Sequence, residues 1–359
     1  MTDGQARPIR VLQSFPTPRP TTNPYIVMLA RSLQSEPGIA MSTFTWKRAL
    51  LGRYDVFHAH WPEILVSGRS PVKTAVRQLF TVLLLLRLRL MRTPIVRTVH
   101  NLELPRDLSR SQTAILRTFD RWTTLRVRLN DTTPMAAGQA YETILHGHYR
   151  DWFAPFARRS PQRGALAFFG LIRRYKNVDG LLRAFRGAEG PLRLTVAGKP
   201  SSEELADSIR AIASEDPRVS VAFAFLTDAE LVEVATAAEL VVLPYSEMHN
   251  SGGVLSALSL DRPVLVPATP SNDSLAAEVG PEWVLRYEGP LTADDIEAAV
   301  RSAGRPHDGR PDLSRRGWEQ TGALHRDAYR RAVALARGRG SAPEAALEHR
   351  SAVREHVTE

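Results

Sequence analysis

Phe168-Phe169-Gly170-Leu171-Ile172-Arg173-Arg174-Tyr175-Lys176-Asn177 ends an apolar run in a glycine turn and sets three cationic side chains ahead of a helical pattern. An apolar strand that turns at glycine into a helix is the repeating unit of a parallel α/β sheet. The glycine lets the backbone approach a ligand, and Arg173 or Arg174 with Lys176 suits the oxygens of a diphosphate. A second apolar run, Glu239 to Pro244, leads into Glu247-Met248-His249-Asn250-Ser251-Gly252-Gly253. There Asn250 and Ser251 can cap a helix whose first amides, at Gly252 and Gly253, suit the same anion. Glu247 lies on the approach, where a carboxylate accepts from ribose or sugar hydroxyls. The glycine stretch lacks the Gly-Lys-Ser/Thr ending of a P-loop and is no dinucleotide fingerprint, so ATP hydrolysis and NAD binding lose their sequence support.

Outward from Gly170 the pattern is regular. Strands are expected at Ala165–Phe169, Leu192–Ala197, Val219–Phe223, Leu240–Leu243 and Val264–Pro267, alternating with helices at Val178–Phe185, Glu203–Ala213, Asp228–Ala238 and Gly252–Ser259. Strands this apolar, separated by helices, imply a parallel sheet covered on both faces. From Leu291 the pattern is helical, with a break at Gly338-Arg339-Gly340-Ser341-Ala342-Pro343.

The first half repeats the logic. Strands are expected at Ile9–Phe15, Tyr54–His60, Pro94–Asn101 and Trp122–Asn130, and helices at Pro24–Ser35, Val76–Arg92 and from Thr132-Thr133-Pro134 to Leu145. Two strands end in histidine, delivering His58, His60, Trp61 and Glu63, and then His100, toward the crevice where open α/β sheets bind ligands. His60, Glu63 and His100 are the candidate acid-base groups, in character for deprotonating a hydroxyl. His58, His60, Glu63 and His100 also have metal-ligand composition, but His58-Ala59-His60 is expected to send its rings to opposite faces, and no metal site is expected. Pro155 to Pro161 reads as a linker. The expected division is residues 1–160, residues 161–330 and a helical tail at 331–359.

Length and composition agree with two α/β domains. The chain has 359 residues, 43% of them apolar, which is ample for two cores. The absence of cysteine excludes disulfides, thiolate catalysis and cysteine-bound zinc and points to a reducing compartment. Met1-Thr2-Asp3-Gly4-Gln5-Ala6 has neither basic head nor apolar core of a secretory signal, so a cytoplasmic protein is expected. The formal charge of +9 favours anionic partners. Dispersed arginines, with no zinc finger or RNA-binding aromatic signature, argue against nucleic acid. The Val76–Arg92 helix is too short in its apolar part to span a bilayer and suits a crossover helix with a basic face at an anionic membrane.

Together, Asp55-Val56-Phe57-His58-Ala59-His60, Thr98-Val99-His100-Asn101, Phe169 to Asn177, and Asn250-Ser251-Gly252-Gly253 through Asp261-Arg262-Pro263-Val264 resemble the GT-B glycosyltransferases. The likeness spans roughly residues 9 to 300. It extends to the group with sucrose and glycogen synthases and bacterial mannosyltransferases, and to exopolysaccharide enzymes that use GDP-mannose and a polyprenyl-diphosphate acceptor. It implies two Rossmann-like domains facing across a cleft, the second binding a nucleotide-sugar donor (GDP-mannose or a UDP-hexose), the first a glycolipid or oligosaccharide acceptor. Lys176 and Arg173 then hold the diphosphate, no cofactor is needed, and the expected place is the inner face of the plasma membrane.

The chain departs from that pattern in two places. Leu171 follows the glycine where the family has arginine, and of the family's two glutamates eight positions apart Glu247 stands one position early, while Ser256 occupies the second place. Retention and inversion of configuration both stay open. The rival readings are a nucleotide-sugar epimerase or hydrolase of the same fold and a non-catalytic carbohydrate-binding partner in polysaccharide assembly.

Overall fold

The computed structural model describes residues 7–19, 21–105, 108–246, 248–306 and 309–338. The first half runs β1 (Ile9–Gln13), α1 (Pro24–Ser35), β2 (Ile39–Ser42), α2 (Trp46–Leu51), β3 (Val56–Ala59), α3 (Glu63–Val66), α4 (Pro71–Leu90), β4 (Ile95–Val99), α5 (Arg110–Arg121), β5 (Thr123–Arg128), β6 (Tyr141–Thr143) and α6 (Arg150–Phe153). The second runs β7 (Ala165–Phe169), α7 (Val178–Gly187), β8 (Arg193–Ala197), α8 (Glu203–Ala213), β9 (Val219–Ala222), α9 (Asp228–Ala237) and β10 (Leu240–Val242). It continues with α10 (Gly252–Ser259), β11 (Val264–Pro267), α11 (Pro270–Val279), β12 (Val284–Tyr287), α12 (Ala293–Ala303) and α13 (Thr321–Ala336).

The strands form two sheets, ordered β2-β1-β3-β4-β5-β6 and β12-β11-β10-β7-β8-β9, with every pairing parallel. In each sheet the winding reverses once, between β1 and β3 and between β7 and β10. At such a reversal the helices leave to opposite sides, and the gap beyond the carboxyl ends of the strands is where ligands bind. Gln13, His58 and His60 lie at the first reversal and the Gly170 and Tyr245 loops at the second.

Local chemistry explains the elements. Central strands β3 and β10 are buried at every position, as parallel strands covered on both faces must be. Asn23 caps α1, accepting from the Tyr25 amide at 3.0 Å, and Pro24 takes the first turn. Such a cap is worth about 1 kcal/mol. The helix then buries Tyr25, Ile26, Met28, Leu29 and Leu33.

Three expectations change. The helix expected from Thr132 to Leu145 is absent: residues 131–140 form a loop with two turns, and Tyr141–Thr143 is the edge strand beside β5. The Thr132 amide and the hydroxyls of Thr132 and Thr133 all donate to Asn130 Oδ1, within 2.9 to 3.0 Å, so the capping groups close a turn instead. Helix α4 starts at Pro71 rather than Val76, capped by Ser70. The division expected at residue 330 falls inside α13, which packs on β1, β3, β4, β5 and α1 of the first half. Its buried face, His325, Ala328, Tyr329 and Ala332, explains why the chain returns. Strands β2 and β12, of four residues each, lie in stretches for which the sequence gives no expectation.

Candidate functional site

Gly170 has φ +103° and its amide donates to Ala197 O at 3.0 Å, so the loop after β7 is pressed against the end of β8. A Cβ on Gly198 would lie 1.7 Å from the Gly170 carbonyl oxygen, which is why that neighbour is also glycine. Lys176 folds back over this turn. Its Nζ lies 4.7 Å from the centre of the Tyr245 ring and 3.9 Å from where a Gly170 Cβ would stand. Ser246 ties the two loops together, its amide and hydroxyl both donating to Tyr175 O, at 2.8 and 3.0 Å. Burial, with repulsion from Arg173, depresses the Lys176 ammonium to about 8. Among the described residues no carboxylate pairs with it. Arg174 instead reaches Glu204 at 2.9 Å on the surface, so of the two arginines it is Arg173 that stays beside Lys176.

Helix α10 begins next to this lysine. Ser251 Oγ accepts from the Val254 amide at 3.3 Å, while the amides of Gly252 and Gly253 have no partner among the described residues. These are the groups an anion would take. Asn250 does not join them. Its Nδ2 donates to Val99 O and His100 O, at 3.3 and 3.2 Å, and its Oδ1 accepts from Asn130 Nδ2 at 2.7 Å. This side chain, expected at the phosphate, instead clasps the opposite domain. His249 does likewise, Nε2 meeting Thr133 Oγ1 at 2.8 Å. Glu247 lies outside the described residues. Ser256 donates to Gly252 O at 2.7 Å within its own helix, so the place of the second family glutamate offers nothing to a ribose.

Across the cleft, His60, Trp61, Glu63, Arg97 and His100 line one crevice. His100 stacks on Trp61 with ring centres 4.0 Å apart, and its Nε2 lies 3.3 Å from His60 Nδ1. His60 Nε2 meets Gln13 Oε1 at 3.1 Å. Desolvation holds both imidazoles far down, His60 to about 3 and His100 well below its ordinary range, so both are neutral near pH 7. An amide oxygen only accepts, so His60 carries its proton on Nε2, and its Nδ1 accepts from His100 Nε2–H. His100 Nδ1 therefore bears a lone pair, and no described residue occupies it. Glu63 is desolvated and its carboxyl raised, with Arg97 opposing the shift.

The structure thus brings His60, Glu63 and His100 together, and Gly170, Arg173, Lys176, Ser251, Gly252 and Gly253 together, on facing sides of one cleft. The rings of His58 and His60 do not point to opposite faces: their centres are 4.4 Å apart, because residues two apart in a strand share a face. Even so, no group of three metal-binding side chains occurs among the described residues. Sequence reading missed Gln13, Asn130, Thr133, Tyr245, His249 and Tyr329. Gln13, which ends β1, and Tyr245, just past β10, carried a local signal.

Comparison with known proteins agrees with the two-domain fold. A protein-family scan gives no match. The GDP-mannose:glycolipid 4-β-D-mannosyltransferase of Xanthomonas campestris pv. campestris is 42% identical over 333 residues, covering 90% of this chain and 93% of that protein. Among solved structures, HepE from Anabaena in complex with UDP superposes with a TM-score of 0.57 at 14% identity, covering 92% of this chain and 98% of that one. The catalytic domain of starch synthase IV from Arabidopsis thaliana, bound to ADP and acarbose, gives 0.62 at 10% identity, covering 92% and 100%. The two structures share the two-domain fold, and the sequence relative fixes the family. The chain belongs to the GT-B glycosyltransferases, in the family of the GDP-mannose:glycolipid 4-β-D-mannosyltransferase.

Proposed function

We propose that this enzyme moves mannose from GDP-mannose to the sugar of a lipid-linked acceptor with inversion at the anomeric carbon. The mannosyltransferase it resembles names that donor and a β-linked product. GDP-mannose holds its sugar in the α configuration, so a β product requires attack from the opposite face. The observation that carries the reading is the grouping of Lys176, which no described carboxylate pairs with, Arg173 beside it and the α10 amides left open among the described residues, in the domain that faces the one holding the His60–His100 crevice. The acceptor oxygen attacks C1 as the C1–O bond to the diphosphate breaks. Its proton passes to His100 Nδ1, while Lys176, Arg173 and the α10 amides stabilise the charge on the departing GDP.

These groups supply the positive charge themselves, so transfer is expected to persist in EDTA. The test incubates the purified protein with GDP-mannose, UDP-glucose or UDP-N-acetylglucosamine and a lipid-linked oligosaccharide extract. GDP-mannose alone should give a product, cleaved by a β-mannosidase. Turnover of a UDP-sugar would overturn the donor, an α-linked product the inversion, and EDTA loss restored by Mg²⁺ the role of the cations.

A glycolipid acceptor needs a membrane within reach. No described helix is long and apolar enough to cross one. Helix α4 instead exposes Val72, Val76, Leu79, Leu83, Leu86 and Leu90 at alternating spacings of four and three, so they form one outward stripe; Val72 is 73% exposed and Leu90 82%. Thr81, Leu84, Leu85 and Leu88 fill the opposite, buried face. Lys73, Arg89 and Arg92 stand around the stripe, as anionic lipid would favour. Glu63 in the crevice is followed directly by exposed Ile64 on α3, which packs against α4, so the acceptor crevice opens beside the apolar face. The exposed stripe supports the reading that the enzyme works at a membrane surface, on the cytoplasmic leaflet. Wild-type protein is expected to co-sediment with phosphatidylglycerol vesicles at low salt. The triple change Leu79→Glu, Leu83→Glu and Leu86→Glu should weaken binding roughly a hundredfold, at ~1 kcal/mol or more per leucine. Unchanged sedimentation would remove α4 as the contact, and dimer dissociation in its place would assign the stripe to a second copy.

A further inference from the structure

The histidine that faces the acceptor is the end of a buried chain of hydrogen bonds that begins on the returning helix α13. Tyr329 Oη lies 2.7 Å from His58 Nδ1 and 3.1 Å from Gln13 Nε2. Gln13 Oε1 continues to His60 Nε2 at 3.1 Å, and His60 Nδ1 to His100 Nε2 at 3.3 Å. The other nitrogen of His58 meets Thr98 Oγ1 at 2.8 Å. Tyr329, Gln13, His58 and Thr98 have no exposed surface, and His60 is 2% exposed, so the chain is shielded from bulk water.

A chain of this kind has two self-consistent directions, and each fixes every proton in it. With the Gln13 amide donating to Tyr329, the tyrosine hydroxyl donates to His58 Nδ1, His58 Nε2–H donates to Thr98, and Gln13 Oε1 accepts from His60 Nε2–H. His60 Nδ1 then accepts from His100, leaving a lone pair on His100 Nδ1. With the amide reversed, Tyr329 donates to Gln13 and His58 Nδ1–H donates to Tyr329. His60 then donates from Nδ1 to His100 Nε2, and His100 presents Nδ1–H, which cannot take a proton. The neighbouring His325 does not enter: its Nδ1–H donates to Thr321 O at 2.8 Å, and its Nε2 has no partner among the described residues.

We infer that Tyr329 and Gln13 are positioning residues for the transfer reaction: through the buried hydrogen-bond chain they hold His100 in the tautomer whose Nδ1 lone pair faces the acceptor. The inference rests on the reading of His100 as the base, yet its structural half stands apart from activity. It also gives the return of α13 to the first domain a chemical consequence, because the hydroxyl that orients the amide comes from a residue 316 positions away in sequence from Gln13.

The test measures ring ¹⁵N shifts of the histidines in full-length protein without substrate, for wild type, Tyr329→Phe, Gln13→Met and Gln13→Glu, with kcat and acceptor KM for each. Wild type should show His58, His60 and His100 all protonated on Nε2. Tyr329→Phe, which deletes one oxygen, should give His100 a mixture of tautomers and lower kcat about tenfold with acceptor KM unchanged, the size of one lost hydrogen bond. Gln13→Met should do the same or more. Gln13→Glu, whose oxygen still accepts from His60, should restore the wild-type His100 tautomer. Protonation of His100 on Nδ1 in wild type, or a pure Nε2–H signal in both Tyr329→Phe and a folded Gln13→Met, would overturn the inference. A tautomer mixture with unchanged kcat would support the chain and instead remove His100 as the base.

Discussion

Lys176→Ala is expected to lower kcat with GDP-mannose by about 10²–10³-fold, the usual cost of removing one preorganised group from a developing oxyanion. Donor affinity should also fall, because among the described residues no carboxylate neutralises this ammonium. It lies over the Tyr245 ring and beside the Gly170 turn, is desolvated, and is repelled by Arg173. Its pKa near 8 sets the sign of the pH dependence. Below pH 8 the free enzyme carries the charge and binds the diphosphate at full strength. Above it the free enzyme loses the proton, which donor binding must restore, so affinity falls as pH rises. Lys176→Arg, always charged, should abolish this decline between pH 7 and 9 while recovering only part of kcat, since its planar fork does not reproduce the compact ammonium. Isothermal titration of GDP and GDP-mannose at several pH values reads both effects. Among the described residues Lys176→Ala breaks no ion pair and it removes a desolvated charge repelled by Arg173, so melting temperature should not drop. A variant that binds GDP like wild type and turns over normally would assign the diphosphate to another site.

The parts legible in the sequence were those whose cause is local. The Gly170 turn and His100 each directly follow an apolar strand, His58 lies within one, and the α10 start comes at the far end of the loop after another; a parallel sheet delivers all such ends to the same edge. The unread parts depend on distant partners. Thr132-Thr133-Pro134 looks like a helix cap, and only Asn130 bonding back explains why it closes a turn. Asn250 reads as part of an anion site because its neighbours are Ser and Gly. Its true partners, Val99 O and His100 O, lie about 150 residues away, and no local pattern announces them. Tyr329 sits in a helical stretch assigned to the second domain, and its meaning depends on Gln13 and His58 in the first sheet. Such long-range polar contacts explain why the two halves of the site are one device: the segment expected to grip phosphate also holds the carbonyl of the residue proposed as base.

His100→Gln should lower kcat by about 10²–10⁴-fold, the range for loss of a general base, with little change in donor affinity. Glutamine keeps a donor for His60 Nδ1 and a flat face for Trp61, so the change removes the basic nitrogen while sparing the packing. Glu63→Gln is the necessary comparison. Glu63 lines the same crevice and burial raises its carboxyl, but Arg97 opposes that rise and it is no part of the histidine chain. Its loss should cost less than that of His100. The pH profile separates the two roles further. Burial, with repulsion from His60, His146 and Arg97, holds His100 well below an ordinary imidazole. The neutral, proton-accepting form therefore persists as pH falls through 6.5, and the acid limb of kcat/KM should lie below that value. If Glu63→Gln proves the more damaging change, the base is the carboxylate. The acid limb would then belong to Glu63, and the Nδ1 lone pair of His100 would serve only to orient the acceptor hydroxyl by accepting a hydrogen bond from it.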